Sequence, residues 1–149
     1  MEFTTHMPAA LAAAREAAEI GEVPVGAVLV DPQGRVVAHA GNRTETDCDP
    51  TAHAEILVIR AACRAARSPR LPGHRLWVTL EPCAMCAAAI SAARISVLYY
   101  GASDPRGGGV AHGARVFDHP QCHHRPEIHA GIGAADSIAL LREFFAARR

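Results

Sequence analysis

Cys83 and Cys86 stand three positions apart directly after Pro82, and His53 lies thirty residues upstream. Proline suits the first turn of a helix, and residues i and i+3 share one helical face, so both sulfurs can point at one ion. A helix N-terminus also favours thiolate over thiol, the form a metal requires. His53 lies near the start of a helical segment of its own, so two helix starts could converge on one point. Soft sulfur combined with imidazole favours zinc.

A structural zinc takes four protein ligands, whereas a catalytic one keeps a position for water. Cys48, Cys63 and His124 are available as a fourth ligand, and a bare Cys-x-x-Cys also serves as a redox pair. Those readings compete with a catalytic site built on three ligands. Glu55, two residues after His53, favours catalysis. Zinc lowers the pKa of bound water to about 7. A carboxylate on the same early helical turn can take that proton and return it to a leaving group.

The 149 residues are 50% hydrophobic and 20% charged, which excludes a disordered chain and suits one domain over residues 1–149 with its own core. The 15 basic residues, all Arg, balance 15 acidic ones, so no overall positive field points to nucleic acid. An all-Arg set also suits phosphate recognition, but a GC-rich genome gives the same bias and is the favoured cause. Neither a membrane span nor an export signal is expected: Pro82 to Ala93 is too short a run, and Met1 to Ala14 has no basic opening. Five cysteines without such a signal read as metal or redox chemistry in the cytoplasm.

Alternation of element types sets the fold class. Pro8 to Ile20 reads as an amphipathic helix ended by Gly21, Val23 to Val30 as a buried strand, and Arg35 to Ala40 as a strand returning after the Asp31–Gly34 turn. A helix capped by Asp49 or Thr51 runs to Ala66, and Leu76 to Leu80 is a third strand. Pro82 opens a helix to Ala93, Ile95 to Tyr100 is a fourth strand, and Asp136 to Ala147 is a last helix. Gly107-Gly108-Gly109 reads as an unusually flexible loop. Strands alternating with helices give an α/β sandwich around a mixed sheet.

His-x-Glu followed by Pro-Cys-x-x-Cys is the zinc deaminase signature. The longer strings Asp49-Pro50-Thr51-Ala52-His53-Ala54-Glu55 and Thr79-Leu80-Glu81-Pro82-Cys83-Ala84-Met85-Cys86 resemble the bacterial tRNA-specific adenosine deaminases of the cytidine-deaminase-like superfamily. Glu22 to Val30, Asn42-Arg43 and Glu143-Phe144-Phe145 extend the resemblance from about Pro8 to Arg149. It implies a three-layer α/β/α sandwich with a five-stranded sheet, the fifth strand lying after Arg125, and generally a homodimer. Ala87, Ala88, Ala89, Ala92 and Ala93 would allow close helix packing between copies.

The implied reaction is hydrolysis of the wobble adenosine of a tRNA anticodon stem-loop to inosine, releasing ammonia. One Zn2+ per subunit would be held by His53, Cys83 and Cys86, with Glu55 carrying the proton. A deaminase of a free base or nucleoside, of guanine or cytosine type, would use the same centre. Asn42 would contact the nucleoside through its amide. Ala54 is small enough to admit a flat base, although plain helix propensity accounts for it too. Backbone N–H groups opening the helix after Pro82 could steady developing oxyanion charge. Asp104, Arg106, Phe145, Arg148 and Arg149 are candidate RNA contacts, with a solvated helix end the competing reading for the last two. Cys122, His123 and His124 read as a structural or RNA-facing patch rather than a second metal site.

Overall fold

The computed structural model describes residues 4–148. Helix α1 (Met7–Glu19) leads into strand β1 (Gly26–Val30) and strand β2 (Val36–Gly41). Helix α2 (Ala54–Ala66), strand β3 (Arg75–Leu80), helix α3 (Ala84–Ala92) and strand β4 (Val97–Ala102) follow. A single 3-10 turn (Val116–Asp118), strand β5 (Glu127–His129) and helix α4 (Ala134–Ala146) complete it. The sheet order is β2-β1-β3-β4-β5. The β1 strand is antiparallel to both its neighbours, whereas β3, β4 and β5 run parallel. The five-stranded mixed sheet and the late fifth strand agree with the expectation.

Alternation along the strands sorts the core into two layers. Leu29, Leu76, Val78, Leu98 and Tyr100 face α2 and α3, where Val58 and Ile90 fill the gap. Val28, Trp77 and Tyr99 face the other way, against Met7, Ala10 and Leu11 of α1 and Leu140 of α4. Trp77 stacks on Tyr99 with ring centroids 3.8 Å apart. The alanine-rich face of α1 lies directly on the sheet: a methyl group at Gly41 would sit 2.7 Å from the Ala13 carbonyl oxygen. Gly21 ends α1 at φ 83, with its own N–H and that of Glu22 closing on the Ala18 and Ala17 carbonyls. That is the left-handed glycine stop expected at this position.

Several boundaries move by one to three residues, because hydrogen bonding rather than hydrophobicity decides where a strand begins. Val23 to Val25 precede β1, and β4 runs on through Gly101 and Ala102. The helix caps are a larger correction. Asp49 and Thr51 do not cap α2: the Asp49 carboxylate accepts from the Thr51 N–H and hydroxyl in a turn of its own, and His53 is the N-cap. Cys83, not Pro82, holds the same position before α3. Ala87 and Ala93, expected to be available for packing between copies, lie instead in the core.

Candidate metal centre and pocket

Both N-caps carry extended backbone, His53 at ψ 151 and Cys83 at ψ 174, so each side chain projects from the first turn of its helix toward the other. Cys86 comes one turn into α3 and is fully buried. The His53 Nδ1 atom lies 3.6 Å from Cys83 Sγ and 3.5 Å from Cys86 Sγ. All three ligand atoms fall within 4.8 Å of one another. Tetrahedral zinc with Zn–S near 2.3 Å and Zn–N near 2.0–2.1 Å sets sulfur and nitrogen about 3.6 Å apart. The donor set and its spacing therefore fit a tetrahedral zinc. Cys48, Cys63 and His124 are not part of this cluster, and it is the one His/Cys/Asp/Glu group with metal-holding geometry among the described residues.

The electrostatics follow from crowding these groups. The Cys86 thiol donates toward Cys83 and, against the opposing effect of burial, holds the Cys83 thiol down at about 4, with His53 contributing. The same contact and burial push Cys86 up. The Cys83 contact also raises the His53 imidazole, against burial. Glu55, in the first turn of α2 and 4% exposed, is pushed up by burial and is closely placed beside His53 and Cys86.

His53, Glu55 and Cys83 form the inner end of a cavity of about 350 Å³, lined also by Val23, Asn42, Ala54, Glu81 and Asp104. That is at the small-molecule end of pocket sizes, roughly 300–1,000 Å³. Asn42 is buried, and its Oδ1 accepts from the Thr44 N–H at 3.3 Å, which leaves the amide NH2 for the cavity. Ala54 is buried in the core and also lines the cavity.

A second, shallower cavity of about 750 Å³ adjoins the first through Val23, Leu80 and Asp104. It brings together Asp104, Arg106 and Phe145 with Ile138 and Arg142 of α4. Phe144 is buried at 7% while Phe145 is exposed at 47%, resolving the adjacent pair as one core and one surface ring. Arg148 folds back instead: its guanidinium lies 3.5 Å from the Phe144 ring centroid and donates to the Phe144 carbonyl. Arg149 lies outside the described residues. In the Cys122–Arg125 patch the Ser91 hydroxyl and the Cys122 thiol both donate to the His124 carbonyl.

Sequence reasoning missed three groups. Arg142 and Ile138 looked like ordinary positions of an amphipathic helix, and helical spacing from Phe145 would have found both. Glu81 entered only as part of the Thr79–Cys86 string and was given no role of its own. Its carboxylate is 2% exposed and accepts from the Asp104, Val110, Ala111 and His112 backbone N–H groups and from the His112 ring. Burial pushes its carboxyl up, but these donors outweigh burial and hold it below the usual carboxylate range. The glycine triplet is not a flexible loop. Gly108 and Gly109 are buried, and a methyl group at Gly109 would sit 2.5 Å from the Ala84 nitrogen and 2.8 Å from the Cys83 carbonyl carbon.

Fold and site together define a zinc-binding deaminase domain: residues 2–102 match the family of the cytidine and deoxycytidylate deaminase zinc-binding region. Within it, the chain belongs to the tRNA-specific adenosine deaminases. It is 57% identical to the Agrobacterium fabrum enzyme of that name over 99% of this chain and 97% of that one. The Bacillus subtilis enzyme of the same name is 41% identical over 94% and 86%. A solved structure from studies of A-to-I editing by tRNA:A34 deaminases at the wobble position superposes with a TM-score of 0.89, at 57% identity over 93% of this chain and all of that one. The guanine deaminase of Bacillus subtilis also superposes, with a TM-score of 0.67 at 30% identity over 99% of this chain and 94% of that one. No helix among the described residues is long and apolar enough to cross a membrane.

Proposed function

We propose that this protein hydrolyses the wobble adenosine of a tRNA anticodon stem-loop to inosine, releasing ammonia, in the cytoplasm. The carrying observation is the three-ligand cluster with buried Glu55 at the inner end of a cavity sized for a base. The 57% identity to a tRNA-specific adenosine deaminase supports adenosine in RNA over a free base.

His53, Cys83 and Cys86 would hold one Zn2+ per subunit. Zinc supplies a water-derived nucleophile at neutral pH, by lowering the pKa of water to about 7. Glu55 then does the proton work. Its carboxylate takes one proton from the attacking water and gives it to the adenine ring nitrogen, then takes the second from the new C6 hydroxyl and delivers it to the departing amine. The C–O bond forms at C6 before the C–N bond breaks, so water and adenosine become inosine and ammonia. Asn42 donates its NH2 to a purine acceptor, and Ala54 leaves room for the ring. Backbone N–H groups at the start of α3 face the charge that develops on the oxygen.

The adjoining groove, where flanking nucleotides of a splayed anticodon loop would lie, is bordered by Asp104, which it shares with the cavity, and by Arg106 and Phe145. Phe145 offers an exposed ring for stacking. Arg148 is engaged with its own helix, which favours a role in ending α4. Ala88 and Ala92 are exposed on α3 and form the small-residue face on which two copies would pair as a homodimer.

The Glu55→Ala variant tests the proton assignment. It is expected to keep its zinc and its melting temperature while inosine formation falls on the order of 10²–10⁴-fold. Full activity in that variant would refute the mechanism.

A further inference from the structure

The loop that closes the pocket has no regular structure of its own, yet its tip is built around one group. The Glu81 carboxylate draws four backbone N–H groups onto itself at 3.0–3.2 Å, and the His112 ring at 2.7 Å. Gly108 passes so close that a methyl group there would collide with Glu81 Oε2. The Gly109 N–H donates to the Pro82 carbonyl at 2.8 Å, seating the loop on the turn that carries Cys83. Asp104 and Gly107, on the same loop, line the cavity.

We propose that Glu81 is a positioning residue, whose carboxylate holds residues 104–112 as the pocket wall and so sets how firmly the substrate is bound. Glu81 stands between two segments with separate duties: Cys83 two residues later, and the wall some twenty-five residues on. A carboxylate suits this place because it only accepts, and every group facing it is a donor. The role rests on the deaminase reading above, but concerns binding rather than the C–N bond.

Steady-state kinetics on an adenosine-wobble stem-loop, with metal content measured on the same samples, test it. In Glu81→Gln the side-chain NH2 meets backbone N–H groups. KM is expected to rise about tenfold or more, with kcat changed less than about threefold and zinc retained, the pattern of lost substrate binding. Gly108→Ala pushes the loop off an intact Glu81 and should give the same split. His112→Ala removes one donor and should give a smaller rise, which keeps the test alive if Glu81→Gln does not fold. Combining Gly108→Ala with His112→Ala should give less than the product of the two effects. Unchanged KM in Gly108→Ala and His112→Ala, or activity lost in step with zinc, overturns the proposal. Wild-type protein that makes no inosine in the stem-loop would instead overturn the functional reading.

Discussion

At the inner end of the pocket, His53 and Cys83 each cap a helix and Cys86 follows one turn later. At the outer end, residues 103–113 form neither helix nor strand and take their shape from Glu81 and from Asp104, which accepts from the Arg106 and Gly107 N–H groups. The facing wall repeats the device: buried Glu22 accepts from the Glu45 and Thr46 N–H groups and the Thr46 hydroxyl. Helix geometry fixes the reacting centre within a few residues of chain. Buried carboxylates fix the walls across twenty or more. The difference separates chemistry from fit, so the walls can vary between substrates while the centre stays the same.

The largest effect should come from breaking the inner end alone. Cys86→Ala removes a buried ligand, so zinc affinity should drop by more than the roughly 10–100-fold that outer-shell changes cost. Inosine formation should vanish with it. Metal analysis after gel filtration checks this, and a zinc-bearing, active variant would break the comparison.

Next in size is a change that couples the two ends. Gly109→Ala presses a methyl group on backbone atoms of Cys83 and Ala84, where nothing flexible can give. Urea unfolding should show a loss of about 1–3 kcal/mol, accompanied by weaker zinc binding. Gly131→Ala is the control. It has φ 81 but no atom within 4 Å of an added methyl group, so only the backbone cost of about 1–2 kcal/mol applies and zinc is untouched.

The groove beyond the outer end gives a third expectation. Phe145→Ala, or removal of the last five residues, should weaken stem-loop binding by about 1–3 kcal/mol while zinc content stays constant. Unchanged turnover of RNA in both would remove Phe145 from the contact set.

The smallest effect concerns Glu22. Burial pushes its carboxyl up, but the Thr46 and Glu45 donors and nearby Arg43 outweigh burial and hold it below the usual value. A lowered folded-state pKa stabilises the fold above the unfolded-state pKa of about 4.3, and the gain is lost as pH falls through the folded value. Glu22→Gln should therefore be less stable than wild type by about 1–3 kcal/mol at neutral pH. The two denaturation curves should converge in acid. A constant difference at every pH would contradict this.

The same contrast explains what could be read from the chain. His53, Glu55, Cys83 and Cys86 were legible because metal chemistry demands certain residue types at helix starts. Strands β1 to β4 were legible because β-branched runs and turn residues mark them locally, whereas β5, three residues long, was expected only from the resemblance. The walls were not. Glu81 and Glu22 look like any acidic residue until the fold surrounds them with N–H groups. Gly107-Gly108-Gly109 looked flexible because glycine signals freedom and close approach equally. None of the three has positive φ; Gly108 and Gly109 are required by the atoms packed against them.

The most direct test of the central claim is to incubate the zinc-loaded protein with an adenosine-wobble anticodon stem-loop and, separately, with free adenosine, cytidine and guanine. Inosine in the stem-loop, with no turnover of the free compounds, is the predicted result. Ammonia from guanine or another free compound, with the stem-loop adenosine intact, would contradict it and assign the same centre to a small molecule.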